Sequence, residues 1–140
     1  MKKIAVVYWS GTGNTEAMAV AVGNGAKDAG AEVCLLTPDT FAPAMVEDFS
    51  AIAFGCPAMG DEVLEEGEFE PMFTACLPRL EGKPIALFGS YGWGSGDWME
   101  AWEKTCREAG AVLSNQSVIC QEFPDDEALS ACRSLGAALA

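Results

Sequence analysis

One short stretch near the N-terminus constrains the fold of this chain more than any other. An apolar run from Ile4 to Trp9 is typical of a buried strand. The run breaks at Ser10 into a loop of glycine, hydroxyl and amide residues, and a helical pattern opens at Thr15. The first N–H groups of such a helix lack partners within it, and its dipole places about +0.5 charge beside them. The stretch therefore predicts an anion-binding loop.

The composition of this loop narrows the kind of anion. Gly11 and Gly13 allow the backbone to curve closely around a ligand. No Lys or Arg lies between Lys3 and Lys27, whereas a Walker-type loop needs a lysine. The G-x-G-x-x-G spacing of dinucleotide sites is also absent. We predict a single terminal phosphate held by neutral donors, and the alternative is a loop that only caps the helix.

Composition excludes several classes of protein. Half of the 140 residues are apolar, which is enough for one domain with its own core, and no run of about 20 apolar residues could span a membrane. The net charge of −13 argues against nucleic acid, and the absence of histidine removes the commonest general base and metal ligand. We expect a cytoplasmic protein, because no signal peptide is recognisable. Its six cysteines should be buried, reduced thiols, since they follow no secretory or metal-binding pattern.

Strand and helix patterns alternate along the whole chain. Strands are expected at 4–9, 33–36, 51–56, 84–88 and, broken in two, at 111–113 and 118–120. Helices are expected at 15–29, 41–48 (weak), 69–80, 98–106 and 129–139. This alternation predicts an α/β fold: a single doubly wound domain over residues 1–140, with a five-stranded parallel sheet and helices on both faces.

Three unusual loops follow the first, third and fourth predicted strands. The carboxyl ends of parallel strands meet at one edge of a sheet, so these loops should form a single site. The second loop, 57–62, carries Met59, and the third, 89–96, carries Tyr91 and Trp93 among glycines. Aromatic side chains in such loops would gain a partner from a flat ligand, or else they cover the end of the sheet. We expect a flat ligand that carries one phosphate.

The three loops together resemble those of short-chain flavodoxins. The matching blocks are Tyr8-Trp9-Ser10-Gly11-Thr12-Gly13-Asn14-Thr15-Glu16, Ala58-Met59-Gly60-Asp61-Glu62 and Leu87-Phe88-Gly89-Ser90-Tyr91-Gly92-Trp93-Gly94. The similarity spans the chain without large gaps, and the fifth strand lacks the long insertion of long-chain relatives. The resemblance implies strand order 2-1-3-4-5, with FMN at the point where the strand order reverses. Flavodoxin is itself a standard example of this arrangement.

The resemblance also implies roles for the three loops. Residues 10–15 would bind the phosphate, while Met59 and Trp93 would flank the isoalloxazine. Residues 90–94 would supply backbone donors to the pyrimidine edge. The full set expected to bind FMN is Trp9, Ser10, Gly11, Thr12, Gly13, Asn14, Thr15, Ala58, Met59, Gly60, Asp61, Glu62, Gly89, Ser90, Tyr91, Gly92, Trp93 and Gly94.

Two of these implied roles concern the second loop. The Gly60–Asp61 peptide would flip on reduction, so that its carbonyl accepts a hydrogen bond from flavin N5–H, and Glu62 would lie near flavin N3. Glycine at position 60 makes the flip cheap, because a positive φ costs glycine little. The chain departs from some relatives at Pro57, where they carry a serine whose hydroxyl reaches the phosphate.

The function implied by the resemblance is low-potential, one-electron transfer by non-covalently bound FMN, without enzymatic activity. The flavin would pass through a stabilised neutral semiquinone and an anionic hydroquinone. We expect a monomer that meets basic redox-partner proteins transiently, with the acidic stretch 61–68 as a candidate docking face. One alternative is an FMN-dependent NAD(P)H quinone or nitro-type reductase, although the chain has no length for added elements. A phospho-receiver domain is the other, but the acids it needs after strands one and three are missing.

Overall fold

The computed structural model describes residues 2–60, 62–113 and 115–140 and forms one five-stranded sheet from them. Its strands are β1 (Lys3–Tyr8), β2 (Glu32–Leu36), β3 (Ala51–Gly55), β4 (Ile85–Tyr91) and β5 (Val118–Gln121). Its helices are α1 (Asn14–Asp28), α2 (Phe69–Cys76), α3 (Asp97–Glu108) and α4 (Asp126–Leu139). The strands run parallel in the order β2-β1-β3-β4-β5, which confirms the predicted fold class and strand order.

Each face of the sheet buries its own apolar cluster. Along β1, Ile4 and Val6 join a cluster with side chains of α1 and α4, whereas Ala5 and Val7 join one with α2 and α3. All four side chains are fully buried, as expected of a central parallel strand that is covered on both faces. The helices therefore hold both faces of the sheet and leave its carboxyl edge to the loops.

The connection between β2 and β3 differs from the prediction. It contains two 3₁₀ turns, Pro38–Thr40 and Pro43–Asp48, rather than the weak helix expected over 41–48. Each turn begins at a proline, which has no N–H to donate and suits the first position of a turn. The next predicted helix is also shorter than expected, because Pro78 has no N–H to continue it. α2 ends at Cys76, and a 3₁₀ turn, Leu77–Arg79, follows.

β4 is longer than predicted. Gly89, Ser90 and Tyr91 belong to the strand, although the sequence placed them in the third loop. The reason is that β5 pairs with β4 as far as Tyr91, while β3 pairs with it only as far as Phe88. The third loop therefore begins at Gly92, and the side chains of β4 reach further towards the site.

All six cysteines are free thiols, but only four are buried as predicted. Cys34 and Cys120 are half-buried because they lie on the two edge strands. Burial raises the pKa of the Cys56 thiol to about 12 and that of Cys120 to about 11. In the part of the chain that the structure describes, none of the helices has the length and apolar character needed to cross a membrane.

Candidate functional site

Loop one, residues 9–15, leads from β1 into α1 and is closed by its own serine. Ser10 Oγ accepts a hydrogen bond from the Gly13 N–H at 3.1 Å and another from the Glu16 N–H at 3.2 Å. Gly13 is the N-cap of α1 and has a φ of 96°, a left-handed conformation that glycine adopts at little cost. The serine and the glycine together fold the loop back over the start of the helix.

Five backbone donors of loop one have no acceptor in the described chain. They are the N–H groups of Ser10, Gly11, Thr12, Asn14 and Thr15. They lie at the N-terminus of a 15-residue helix, where the helix dipole favours negative charge. Unpaired amides with no lysine or arginine in the loop are the donor set expected for one terminal phosphate, so the loop fits the phosphate of FMN.

Thr15 also joins loop one to β4. Its Oγ1 lies 3.3 Å from Ser90 Oγ, and both residues are buried. Two buried hydroxyls that share a hydrogen bond satisfy each other without water. Sequence reasoning placed both residues in the cofactor set but missed this contact, because two residues 75 positions apart leave no local pattern.

Loop two, residues 57–62, forms a tight turn after β3. Met59 and Val63 exchange two backbone hydrogen bonds of 2.8 and 3.1 Å, which close the turn. Gly60 has a φ of 45°, and a Cβ built there would have no neighbour within 4 Å. The positive φ is one that glycine adopts at little cost, whereas the open space would admit a side chain, and the role of Gly60 in a flip stays a prediction. Asp61, the other half of the peptide expected to flip, lies outside the described residues.

Glu62 connects loop two with loop three, which runs from Gly92 to Gly96. Its Oε1 accepts hydrogen bonds from the Ser95 N–H at 3.0 Å and the Gly96 N–H at 3.2 Å, just before α3 begins. The carboxylate therefore holds the backbone of loop three just before α3 in this structure, while the sequence prediction placed it near flavin N3. A side chain at Gly94 would displace this carboxylate, and the φ of 94° at this position favours glycine.

The aromatic residues near loop three lie in different environments. The Tyr91 ring is half-buried and tilted against Trp98, with 5.5 Å between ring centroids. Trp93 is 66% exposed. Trp98 and its helical neighbour Trp102 are core residues. The exposed Trp93 indole is the one free to stack on a flat ligand.

A cavity of about 250 Å³ lies where the loops meet, and residues of all three loops line it. Its lining residues are Trp9, Gly11, Thr12, Asn14, Pro57, Ala58, Met59, Ser90, Tyr91, Gly92 and Glu122. Nine of these eleven belong to the predicted set. The described members of that set outside this lining are Ser10, Gly13, Thr15, Gly60, Glu62, Gly89, Trp93 and Gly94.

Glu122 is a site residue that sequence reasoning missed. Its N–H donates to the Tyr91 carbonyl at 2.8 Å, which holds the chain after β5 beside loop three. Gln121 reinforces this contact, since its Nε2 donates to the Gly92 carbonyl at 3.1 Å. The loop after β5 carries no glycine-rich or aromatic pattern like the other three. Its position at the carboxyl edge of the same sheet was the signal that could have identified it.

Glu65 fixes the chain between loop two and α2. Its carboxylate accepts three hydrogen bonds of 2.8 Å, from the N–H groups of Gly67, Glu68 and Phe69. Burial by itself would raise the pKa of the Glu65 carboxyl, but the three N–H donors together hold that pKa below its usual range. The acid is therefore an ionised cap of α2.

A phosphate-type loop after β1 and a cavity between loops at the carboxyl edge define a doubly wound, nucleotide-binding α/β protein. The sequence matches the family described as Flavodoxin over residues 6–136, and the chain belongs to that family. It is 45% identical to the flavodoxin of Megasphaera elsdenii, over 98% of each chain. Identity to the flavodoxin of Clostridium beijerinckii is 42%, over 86% of this chain and 88% of that one.

The structural comparison agrees. The solution structure of two-electron reduced Megasphaera elsdenii flavodoxin aligns with a TM-score of 0.89 and covers 97% of both chains. The predicted family is therefore confirmed. Flavodoxins are electron-transfer proteins rather than enzymes, and FMN is the cofactor of this chain, as predicted.

Proposed function

We propose that this chain carries single electrons at low potential between redox enzymes, with FMN held non-covalently by the three loops. The observation that carries the proposal is loop one, whose five unpaired amides could bind an anion without any basic side chain. Met59 and Tyr91 line the adjoining cavity and Trp93 is exposed beside it, which suits a flat ring on the same ligand. The roles that the resemblance gives to residues 10–15, 58–62 and 89–94 are part of the proposal.

Gly60 would select the one-electron-reduced state. After the peptide turns, its carbonyl can accept a hydrogen bond only from a protonated N5, which favours a neutral semiquinone. The φ of 45° and the open space around Gly60 support such a turn. A neutral hydrogen bond contributes about 0.5–1.5 kcal/mol, or roughly 20–65 mV for a one-electron couple.

Acidic side chains would then oppose the second electron. Glu62 and Glu65 are half-buried next to loop two, and Glu122 lines the cavity. One carboxylate at about 10 Å, in an effective dielectric near 20, opposes an added negative charge by roughly 1.7 kcal/mol, or about 70 mV. Salt reduces this at exposed positions. The expected result is a low potential for the second one-electron step.

An anaerobic reductive titration followed by absorbance tests this proposal. A yellow protein that passes through a stable blue, neutral semiquinone is the expected result. Reduction in one two-electron step, together with NAD(P)H oxidation in the absence of a partner protein, would instead support the FMN-dependent quinone or nitro-type reductase. A protein that stays colourless with added FMN would contradict both functions.

Transient docking of basic partner proteins is the second part of the proposal. A groove of about 410 Å³ between α2 and α3 has Glu62, Glu66 and Glu70 in its lining beside apolar and aromatic side chains. Carboxylates around an apolar surface complement a basic partner, and they extend the acidic stretch 61–68 along α2. Dependence of the transfer rate on ionic strength should weaken in Glu66→Gln/Glu70→Gln. Glu32→Gln, at the opposite end of the sheet, is the matched control.

A monomer in the cytoplasm completes the proposal. A net charge of −13 disfavours contact between two copies. All six cysteines are free thiols, which suits a reducing compartment. Sedimentation velocity at physiological salt should give a single species of monomer mass, and a dimer would contradict this part.

A further inference from the structure

Trp9 and Glu68 link loop one to the turn before α2. The indole Nε1–H of Trp9 donates to Glu68 Oε1 at 3.2 Å. Glu68 is itself held in place, because its own N–H donates to the Glu65 carboxylate at 2.8 Å. The acceptor of the indole therefore belongs to a segment with a fixed backbone, 59 positions along the chain.

The Trp9 ring packs on the backbone of loop one. A Cβ built at Gly11 would lie 2.9 Å from the ring atom Cη2 and 3.2 Å from Cζ3. No room exists for a side chain between the indole and the loop at this point. Since the Gly11 N–H is one of the five unpaired donors, the position of the ring and the position of a phosphate donor are mechanically connected.

Trp9 also stands between two cavities. On one side lies the 250 Å³ cavity that Met59 and Tyr91 line. On the other side a cavity of about 330 Å³ is bordered by three carboxylates, those of Glu16, Asp39 and Glu68. A dianionic phosphate would be repelled there, although Ser10, Gly11 and Gly13 of loop one also line this cavity. The position of the indole between the two cavities therefore bears on the side to which the loop presents its donors.

We propose that Trp9 is a positioning residue for the phosphate, and that its hydrogen bond to Glu68 holds loop one in the binding conformation before FMN arrives. This rests on the proposed function of loop one. This hydrogen bond fixes the direction of the unpaired amides in advance, so less conformational entropy is lost when FMN binds. It acts through the loop backbone and not through a contact with the flavin ring. Loss of one such hydrogen bond should weaken FMN binding about five- to tenfold.

The test compares the dissociation constants of FMN and riboflavin, measured by flavin-fluorescence quenching with the full chain freed of flavin. Riboflavin has the same ring and lacks the phosphate. Trp9→Phe keeps an aromatic ring and removes the N–H, and it should weaken FMN about five- to tenfold and riboflavin less than twofold. Glu68→Ala should behave likewise. Glu68→Gln makes the same change of charge but keeps an acceptor, and should hold FMN within about twofold of the parent.

Two further variants separate the effect of the Trp9–Glu68 hydrogen bond from general effects of charge. Glu32→Ala removes an exposed acid at the start of β2 that makes no side-chain hydrogen bond in the described chain, and it should leave FMN affinity unchanged. The double variant W9F/E68A should bind FMN no more weakly than W9F alone, because both changes remove one bond.

Three results would overturn the inference. Equal weakening of FMN and riboflavin in Trp9→Phe would show a ring contact instead of a phosphate effect. Equal affinities of Glu68→Ala and Glu68→Gln would show that the hydrogen bond has no role. If the parent chain binds riboflavin as tightly as FMN, loop one binds no phosphate, and the proposed function of that loop fails together with the inference.

Discussion

Loop one and loop two lie at the same edge of one sheet, yet they are held in very different ways. Loop one is bonded at both ends, by the Trp9 N–H to the Gly55 carbonyl at 3.0 Å and by the buried Thr15–Ser90 pair. Loop two is closed by the Met59–Val63 bonds, and beyond them its described residues include two with positive φ, at 45° and 58°. Loop one is anchored through its backbone and a buried hydroxyl pair. Loop two is anchored at its ends, by the Ala58 N–H to the Ser90 carbonyl and by Glu62 to loop three, around a turn with positive φ.

The difference follows from what each part of the ligand does. A phosphate keeps its charge whether the flavin is oxidised or reduced, so a fixed set of donors serves every redox state. The ring changes its protonation and charge, so the groups beside it must respond. On the proposed function, the fixed donors of loop one would serve affinity for the cofactor, and the turn of loop two would serve control of its potentials.

Thr15→Val tests the rigidity of loop one and should have the largest effect. Valine has nearly the shape of threonine but leaves the buried Ser90 hydroxyl without its partner, which costs about 1–3 kcal/mol of the free energy of unfolding. Urea denaturation of the flavin-free chain measures this. Adding Ser90→Ala should recover part of the loss, because then neither hydroxyl is left unpaired. If Thr15→Val is as stable as the parent, the shared hydrogen bond does not anchor loop one.

Glu65→Ala tests how the exit from loop two is held, through the pH dependence of the free energy of unfolding. The carboxylate caps three N–H groups at the exit from loop two, and its loss should cost about 1–2 kcal/mol at neutral pH. Because the folded-state pKa of Glu65 is lowered, this stabilisation is fully present above the unfolded pKa and disappears as the pH falls through the folded one. The parent and Glu65→Ala should therefore converge in acid, whereas the deficit of Thr15→Val should not depend on pH. A deficit of Glu65→Ala that persists unchanged in acid would show that packing, and not charge, is lost.

Much of this architecture was predictable because its signals are local. The apolar run of β1, the hydroxyl-rich loop and the opening of α1 lie within one short stretch, and the carboxyl-edge rule then brings three loops together. The family resemblance added strand order and the identity of the ligand. These parts depend on residue types at short spacing, which a sequence displays directly.

The parts that could not be predicted depend on contacts between distant segments. The Thr15–Ser90 and Trp9–Glu68 hydrogen bonds join residues 75 and 59 positions apart. The extension of β4 to Tyr91 depends on the register of β5, and the place of Glu62 against α3 depends on a side-chain rotamer. In each case a tertiary contact decides between local options that the sequence leaves equal.

Gly60→Val tests the adaptability of loop two. A β-branched residue is strained at positive φ, so the peptide should resist turning, although the space around position 60 is open. Loss of the hydrogen bond to N5 should lower the first one-electron potential by roughly 20–65 mV and reduce the yield of semiquinone. Since Gly60 already has a positive φ here and lies outside loop one, any loss of affinity should be equal for FMN and riboflavin, which distinguishes this variant from Trp9→Phe. A semiquinone yield equal to that of the parent would contradict the flip.

Glu122→Gln extends the comparison to the loop after β5 and should have the smallest effect. The substitution keeps the shape of the side chain and the bond from its N–H to the Tyr91 carbonyl, and it removes one negative charge from the lining of the cavity. Because Glu122 is exposed, an effective dielectric of about 40–80 applies, and one charge at about 10 Å then corresponds to roughly 20–40 mV. The potential of the second one-electron step should rise by that amount at low salt, since the added electron is less strongly opposed. In 1 M salt the Debye length is about 3 Å, so the parent and the variant should then agree. A shift that is equally large in high salt would mean that Glu122 acts through a direct contact, and no shift at low salt would mean that only the loops after β1, β3 and β4 influence the flavin.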